Sequence, residues 1–189
     1  MRTKPIRIGL DFDGVVAYNP FRVVRAPWAY FKRNILGIKK LTFFYPQNAR
    51  QRIFWKILHQ SSMFPANGVD HLRALITSKE IEVYLITGRY GFLRDHLYQW
   101  LDRHEMSKLF HDIVINKKDE QPHIFKEKAI KKIKPAVFVE DNLDIVEYLN
   151  GRTPTKIYWI YNITDRFHPY PYKFPYLLKA LKALPKLSP

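Results

Sequence analysis

Five short apolar runs, each followed by a polar or helical stretch, constrain this chain more than any other feature: Ile6–Leu10, Ile81–Ile86, Ile113–Ile115, Ala136–Val139 and Ile157–Ile160. Near-continuous Ile, Val, Leu and Phe without alternation is what strands need when helices cover both faces of a parallel sheet. Helical patterns lie between the runs. His71–Thr77 precedes the second, and Phe92–Arg103 follows it with Leu93, Leu97, Trp100 and Leu101 on one side. Phe125–Ile133 places Ala129, Ile130 and Ile133 together, and Asp144–Leu149 follows the fourth run. This alternation predicts an α/β fold, Rossmann-like, with five parallel strands between helices and right-handed crossovers.

The stretch from Tyr18 to Val69 breaks the rhythm. It reads as two or more helices, about Trp28–Leu36 and Ala49–Gln60, with an aromatic loop Leu41–Pro46 between them. The expected organisation is therefore an α/β core of residues 1–17 and 70–189 with a helical insert, 18–69, after the first strand. Near the C-terminus Leu177, Leu178, Leu181 and Leu184 oppose Lys179 and Lys182. That stripe suits a short helix packed on the core rather than a membrane anchor.

Charge narrows the partners. Lys and Arg number 32 against 17 Asp and Glu, a net +15. No acid occurs between Asp13 and Asp70, where Arg22, Arg25, Lys32, Arg33, Lys39, Lys40, Arg50, Arg52 and Lys56 lie. An anionic partner, a phosphate ester or nucleic acid, is the expectation. Zero cysteines exclude a disulfide framework, a Cys-ligated metal and a thiol nucleophile. The opening MRTKPIRIGL enters an apolar run at once, without a signal-peptide core, and no apolar run is long enough to span a bilayer. The expected compartment is the cytoplasm, with no membrane partner.

The candidate chemistry sits where the strands end. Asp11-Phe12-Asp13-Gly14-Val15-Val16 follows the first strand directly, and ligands of open α/β sheets gather outside the carboxyl ends of strands. Thr87-Gly88-Arg89 follows the second strand and offers a hydroxyl and backbone amides to phosphoryl oxygens. Glu140-Asp141-Asn142 ends the fourth. Adjacent carboxylates at the end of a core strand repel and are costly to dehydrate, a cost that a cation between them and Asp11 removes. Hard oxygen ligands favour Mg²⁺.

The ordered set DFDGVV, ITGR, a lysine at 126 and VEDN resembles the four motifs of the haloacid dehalogenase-like (HAD) superfamily of phosphohydrolases. The resemblance runs from Ile6 to about Asn162, with the insert where the family carries its C1-type cap. It implies that Asp11 is a nucleophile forming an aspartyl phosphate and that Asp13 moves the proton to and from the reacting oxygens. It further implies that Gly14, Thr87, Gly88 and Lys126 hold the phosphoryl group. Mg²⁺ would lie among Asp11, the Asp13 backbone carbonyl and Asp141, with Glu140 behind them. Should Asp141 not serve, Glu140 or Asp144 are the other carboxylates within reach.

The lysine needs argument, because Lys126, Lys128, Lys131, Lys132 and Lys134 crowd one stretch. Lys126 shares the side of Ile130 and Ile133, four and seven residues on. Lys128, the alternative, lies about 200° around the helix from Ile130. Within the family the chain is most similar to the 5′(3′)-deoxyribonucleotidase-like branch, which implies a nucleotide or another small phosphate ester. Trp28, Tyr30, Phe31, Phe43, Phe44 and Tyr45 are candidates to stack on a base, or to form the insert's own core. The motif order also resembles the 3′-phosphatase domain of polynucleotide kinase, where a basic insert would follow a nucleic-acid backbone. A non-catalytic HAD-fold protein that binds nucleic acid is the third alternative. The oligomeric state is not legible.

Overall fold

Continuous apolar strands need cover on both sides, and the computed structural model, which describes residues 4–19, 41–60 and 62–185, provides it. Strand β1 (Ile6–Leu10) is central. It pairs in parallel with β4 (Ile81–Tyr90) on one side and β6 (Val137–Glu140) on the other. Outside these lie β5 (Asp112–Asn116), β7 (Lys156–Ile160) and β8 (Lys173–Phe174), giving the order β5-β4-β1-β6-β7-β8. Among the described residues the sheet thus has six strands rather than five. The extra strand is only two residues long and pairs with Trp159 and Ile160, so it lacks the apolar run by which a strand is recognised.

Side chains alternate across a strand, and the two resulting cores follow the alternation. Ile8, Leu10, Val83, Leu85, Val137 and Val139 face one way, with Leu72, Leu97, Trp100, Leu101, Leu177 and Leu181. These last come from α2 (Val69–Thr77), α3 (Arg94–Arg103) and α6 (Leu177–Lys182). Tyr84, Ile86, Phe138 and Trp159 face the other way. Ala129 and Ile130 of α4 (Pro122–Ile133) and Val146 of α5 (Leu143–Leu149) cover them. Gly9 also faces α4, and a Cβ there would come within 2.8 Å of the Phe138 ring.

The helix boundaries have local causes. Proline opens α4 at Pro122, where its missing N–H costs nothing and its fixed φ suits the first turn. The helix therefore starts ahead of the apolar pattern at Phe125. Asn142 caps α5 by accepting the Asp144 N–H at 3.0 Å. The insert contributes α1 (Ala49–Gln60), as its pattern predicts, and its neck is a two-residue antiparallel ribbon of β2 (Ala17–Tyr18) and β3 (Phe64–Pro65). Residues this short carry no periodicity, and the sequence reading has no strand there. The expected Trp28–Leu36 helix, six of the insert's cations (Arg22 to Lys40) and Trp28, Tyr30 and Phe31 lie outside the described residues. No helix among the described residues is long and apolar enough to cross a membrane.

Burial separates positions that hold the fold from positions that do not. Leu85 is fully buried between β1 and β5, whereas Ile53 on α1 is exposed. Leu85→Ala should cost about 2–5 kcal/mol through lost burial and the cavity left behind. Ile53→Ala should stay within about 0.5 kcal/mol. Urea unfolding of the two variants checks the contrast.

Candidate active site

Strand periodicity decides which acidic side chains meet. Asp11 follows Gly9 by two residues and Glu140 follows Phe138 by two, so both point to the face covered by α4. Their strands are neighbours, and the Asp11 N–H donates to the Val139 carbonyl at 2.9 Å. From α4, Lys126 reaches across with its Nζ 3.0 Å from Asp11 Oδ2 and 2.6 Å from Glu140 Oε2. All three side chains are buried. Gly88 makes the approach possible: a Cβ there would meet Pro122 at 2.9 Å and the Lys126 Cε at 3.5 Å. Lys128 instead points outward and pairs with Glu120 at 2.6 Å.

Asp141 completes the cluster. One oxygen each from Asp11, Glu140 and Asp141 lie within 4.8 Å of one another. Gly14, at φ +80°, leaves the space, because a Cβ there would overlap the Asp141 carboxylate. Glu140 is fully engaged. Its Oε2 accepts from Lys126, and its Oε1 accepts the N–H groups of Asp141 (3.1 Å) and Asn142 (3.0 Å). Asp11, Glu140 and Asp141 together could hold a cation, and Glu140 also braces the turn behind the other two.

The electrostatics fit a divalent cation. Three carboxylates face one ammonium. Burial, with the charges of Glu140 and Asp141, pushes the Asp11 carboxyl well above the usual range despite the pull of Lys126. Burial likewise raises Glu140 against Lys126. Burial alone would lower Lys126, but Asp11 and Glu140 outweigh it and hold the ammonium charged. Carboxyls raised in this way gain from a cation that favours their ionised form, and hard oxygens are the donor set that suits Mg²⁺.

Asp13 is placed elsewhere. Its Oδ2 accepts from Arg89 Nε at 2.8 Å, and its Oδ1 from an Arg89 terminal nitrogen at 2.7 Å and from the Ser62 hydroxyl at 2.8 Å. Burial would raise this carboxyl, but the Arg89 guanidinium overrides it and holds Asp13 well below the carboxylate range. Arg89 is buried, lies over the Phe12 ring at 4.5 Å, and donates to the His59 carbonyl at 3.3 Å. Thr87 is buried in the same strand, its hydroxyl oxygen accepting the Arg89 N–H at 3.2 Å. Sequence reasoning gave Arg89 and Ser62 no role. The arginine stands two residues beyond Thr87 on an alternating strand, which was a usable signal; Ser62 had none.

The aromatic loop of the insert is fastened to the core. The Phe43 N–H donates to Gln121 Oε1 at 2.8 Å, and the Gln121 amide donates to the Phe43 carbonyl at 3.3 Å. The Tyr45 hydroxyl donates to Asp119 at 2.9 Å, and its ring packs edge-on against Tyr90. Phe44 remains exposed beside Trp55.

Neither a protein-family model nor a curated protein sequence matches the chain. Solved structures do. A haloacid dehalogenase-like hydrolase family protein from Streptococcus pneumoniae is 14% identical, with a TM-score of 0.60 over 95% of this chain and 98% of that one. The HAD-type hydrolase YfnB from Bacillus subtilis, bound to magnesium, is 11% identical, with a TM-score of 0.57 over 96% and 98%. CbbY from Rhodobacter sphaeroides, in complex with phosphate, is 12% identical, with a TM-score of 0.54 over 94% and 96%. The fold is that of the haloacid dehalogenase-like hydrolases.

Lys126→Met would leave Asp11 and Glu140 buried without their cation and should cost about 3–5 kcal/mol at pH 7. Carboxyls raised above their unfolded values favour folding when protonated, and that contribution is lost as pH rises through the folded values. The deficit of Lys126→Met should therefore shrink between pH 7 and pH 5. Lys128→Met, at an exposed position, should leave the midpoint unchanged. Denaturant titrations at both pH values check this.

Proposed function

We propose that this protein is a Mg²⁺-dependent phosphomonoester hydrolase working through an aspartyl phosphate. The observation that carries the reading is the Asp11 carboxylate, buried at the end of β1, 3.0 Å from Lys126 and clustered with Glu140 and Asp141. An acid-rich cluster of this kind admits a phosphoryl group only when cations balance it, and the proposed chemistry assigns that balance to Lys126 and a divalent ion. Asp11 and Asp141 would hold Mg²⁺, which when bound neutralises charge on the phosphoryl oxygens.

The chain's own residues account for the remaining steps. Asp11 attacks phosphorus and the ester oxygen leaves. Lys126 keeps the nucleophile oriented and offsets charge on the equatorial oxygens, helped by the Thr87 hydroxyl and the Gly14 and Gly88 amides. Asp13 transfers a proton to the leaving oxygen and later takes one from the water that hydrolyses the aspartyl phosphate. Both Asp13 oxygens are engaged and Arg89 holds the carboxyl ionised, so Asp13 must release the Arg89 guanidinium and take up a proton before it can give one to the leaving oxygen. The fold of solved HAD-type hydrolases, one of them in complex with phosphate, supports the reading.

Phosphate release from nucleotides, sugar phosphates and 3′-phosphorylated oligonucleotides, with and without Mg²⁺, tests it. Asp11→Asn should abolish turnover, and Asp13→Asn should slow it by about 10²–10⁴-fold. Asp141→Asn should raise the Mg²⁺ requirement. Near wild-type rates in Asp11→Asn would overturn the covalent route.

Within this reading the substrate is a nucleotide or other small phosphate ester, and Arg50, Arg52 and Lys56, exposed on α1, draw it in electrostatically. For a mononucleotide kcat/KM should fall modestly with salt. A nucleic-acid end engaging several cations should instead lose affinity with a log–log slope of about −0.7 per phosphate contact. Arg50→Glu with Arg52→Glu should lower kcat/KM and flatten the salt dependence; unchanged values would remove α1 from substrate capture.

A further inference from the structure

Trp159 is completely buried, yet its indole N–H points at the site. It sits on β7 opposite Glu140 in the parallel register, and its Nε1 donates to the main-chain carbonyl of Asp141 at 3.3 Å. The ring cannot turn away, because Tyr161, His168 and Tyr170 wall it edge-on, with centroids at 6.2, 5.7 and 6.0 Å. Tyr170 is itself tied to the same strand, its hydroxyl donating to the Ile157 carbonyl at 2.9 Å. The indole therefore comes from a fixed frame.

Asp141 is held on three sides. Its N–H donates to Glu140 Oε1, its carboxylate lies over Gly14, and its carbonyl accepts from Trp159. The first two follow from the motifs. The third comes from a strand that carries none of them. We infer that Trp159 is a positioning residue for Asp141: it fixes the main chain from which that carboxylate is presented to a divalent cation. Mg²⁺ demands near-octahedral geometry, so a ligand free to drift binds it more weakly. A phenylalanine could occupy the ring site but leaves the carbonyl without this donor.

The inference rests on the reading of the acidic cluster as a Mg²⁺ site, and the experiment separates the two. Calorimetric titration of MgCl₂ into wild type, Trp159→Phe, Asp141→Asn and Tyr170→Phe needs no substrate. Trp159→Phe should weaken Mg²⁺ roughly 10-fold, as loss of a partner behind a metal ligand does, and kcat at saturating Mg²⁺ should recover. Tyr170→Phe, which removes the hydroxyl bonded to Ile157 but keeps the ring wall and the indole, should bind Mg²⁺ like wild type. Wild-type affinity in Trp159→Phe alongside weakened binding in Asp141→Asn would overturn the role of Trp159 and leave the metal site standing. Absence of Mg²⁺ binding by the wild type would overturn both. Should Trp159→Phe not fold, the assigned Trp159 indole ¹H–¹⁵N signal of the wild type decides. It should move over the same Mg²⁺ range as the calorimetric heat, and a signal that stays put overturns the inference.

Discussion

The ammonium of Lys126, shared between Asp11 and Glu140, is the interaction on which the acidic end of the sheet depends. Carboxylates buried at the ends of two adjacent strands would be intolerable alone, since each dehydrated charge costs several kcal/mol without a partner. The lysine makes them tolerable, and several otherwise separate features follow from its need to arrive there. Helix α4 has to lie close against β4, which Gly88 permits. Lys126 itself has to leave the solvent, while its neighbours Lys128 and Lys131 stay at the surface with Glu120 and Glu127.

The parallel sheet was legible because its strands are buried on both faces and so spell out as uninterrupted apolar runs. Lys126 was legible for a related reason: it shares a helix side with Ile130 and Ile133, so burying them carries it inward. The strand β8 and the ribbon at the neck of the insert were not legible. Two residues are too few to show a period, and their pairing is set by partners far along the chain. The same limit applies to Ser62 and Trp159. Each meets its partner through long-range topology, Ser62 by the return of the insert and Trp159 by the register of β6 with β7.

The aromatic loop shows how packing competes with recognition. Phe43 and Tyr45 were candidates to stack on a base, and both have close neighbours in the protein. Phe43 packs against the core on the α4 side and is bound through its backbone to Gln121. Tyr45 is bonded to Asp119, whose other oxygen accepts the Gly91 N–H at 2.6 Å. A single aspartate thereby joins the insert to the loop after β4. These contacts stitch the insert to the rim of the sheet, and of the three loop aromatics Phe44 is the most exposed.

The two acids of the first motif, only two residues apart, are served by cations arriving from opposite sides. Asp11 faces α4 and Lys126, whereas Asp13 meets Arg89, which lies over Phe12 on the other core. This division has an electrostatic consequence. Four carboxylates, Asp11, Asp13, Glu140 and Asp141, crowd the ends of two strands, and like charges so near one another raise each other's proton affinity. Pairing Asp13 with Arg89 offsets one of them locally, and Asp13 is the weakest of the charges that act to raise Asp11, behind Glu140 and Asp141. The other three, Asp11, Glu140 and Asp141, stay clustered within 4.8 Å. The arginine that satisfies Asp13 also donates to the His59 carbonyl at the end of α1, and the carboxylate accepts from Ser62 just beyond it. The end of α1 is thus bonded to the second acid of the motif, so any movement of that segment relative to the sheet must change what Asp13 touches.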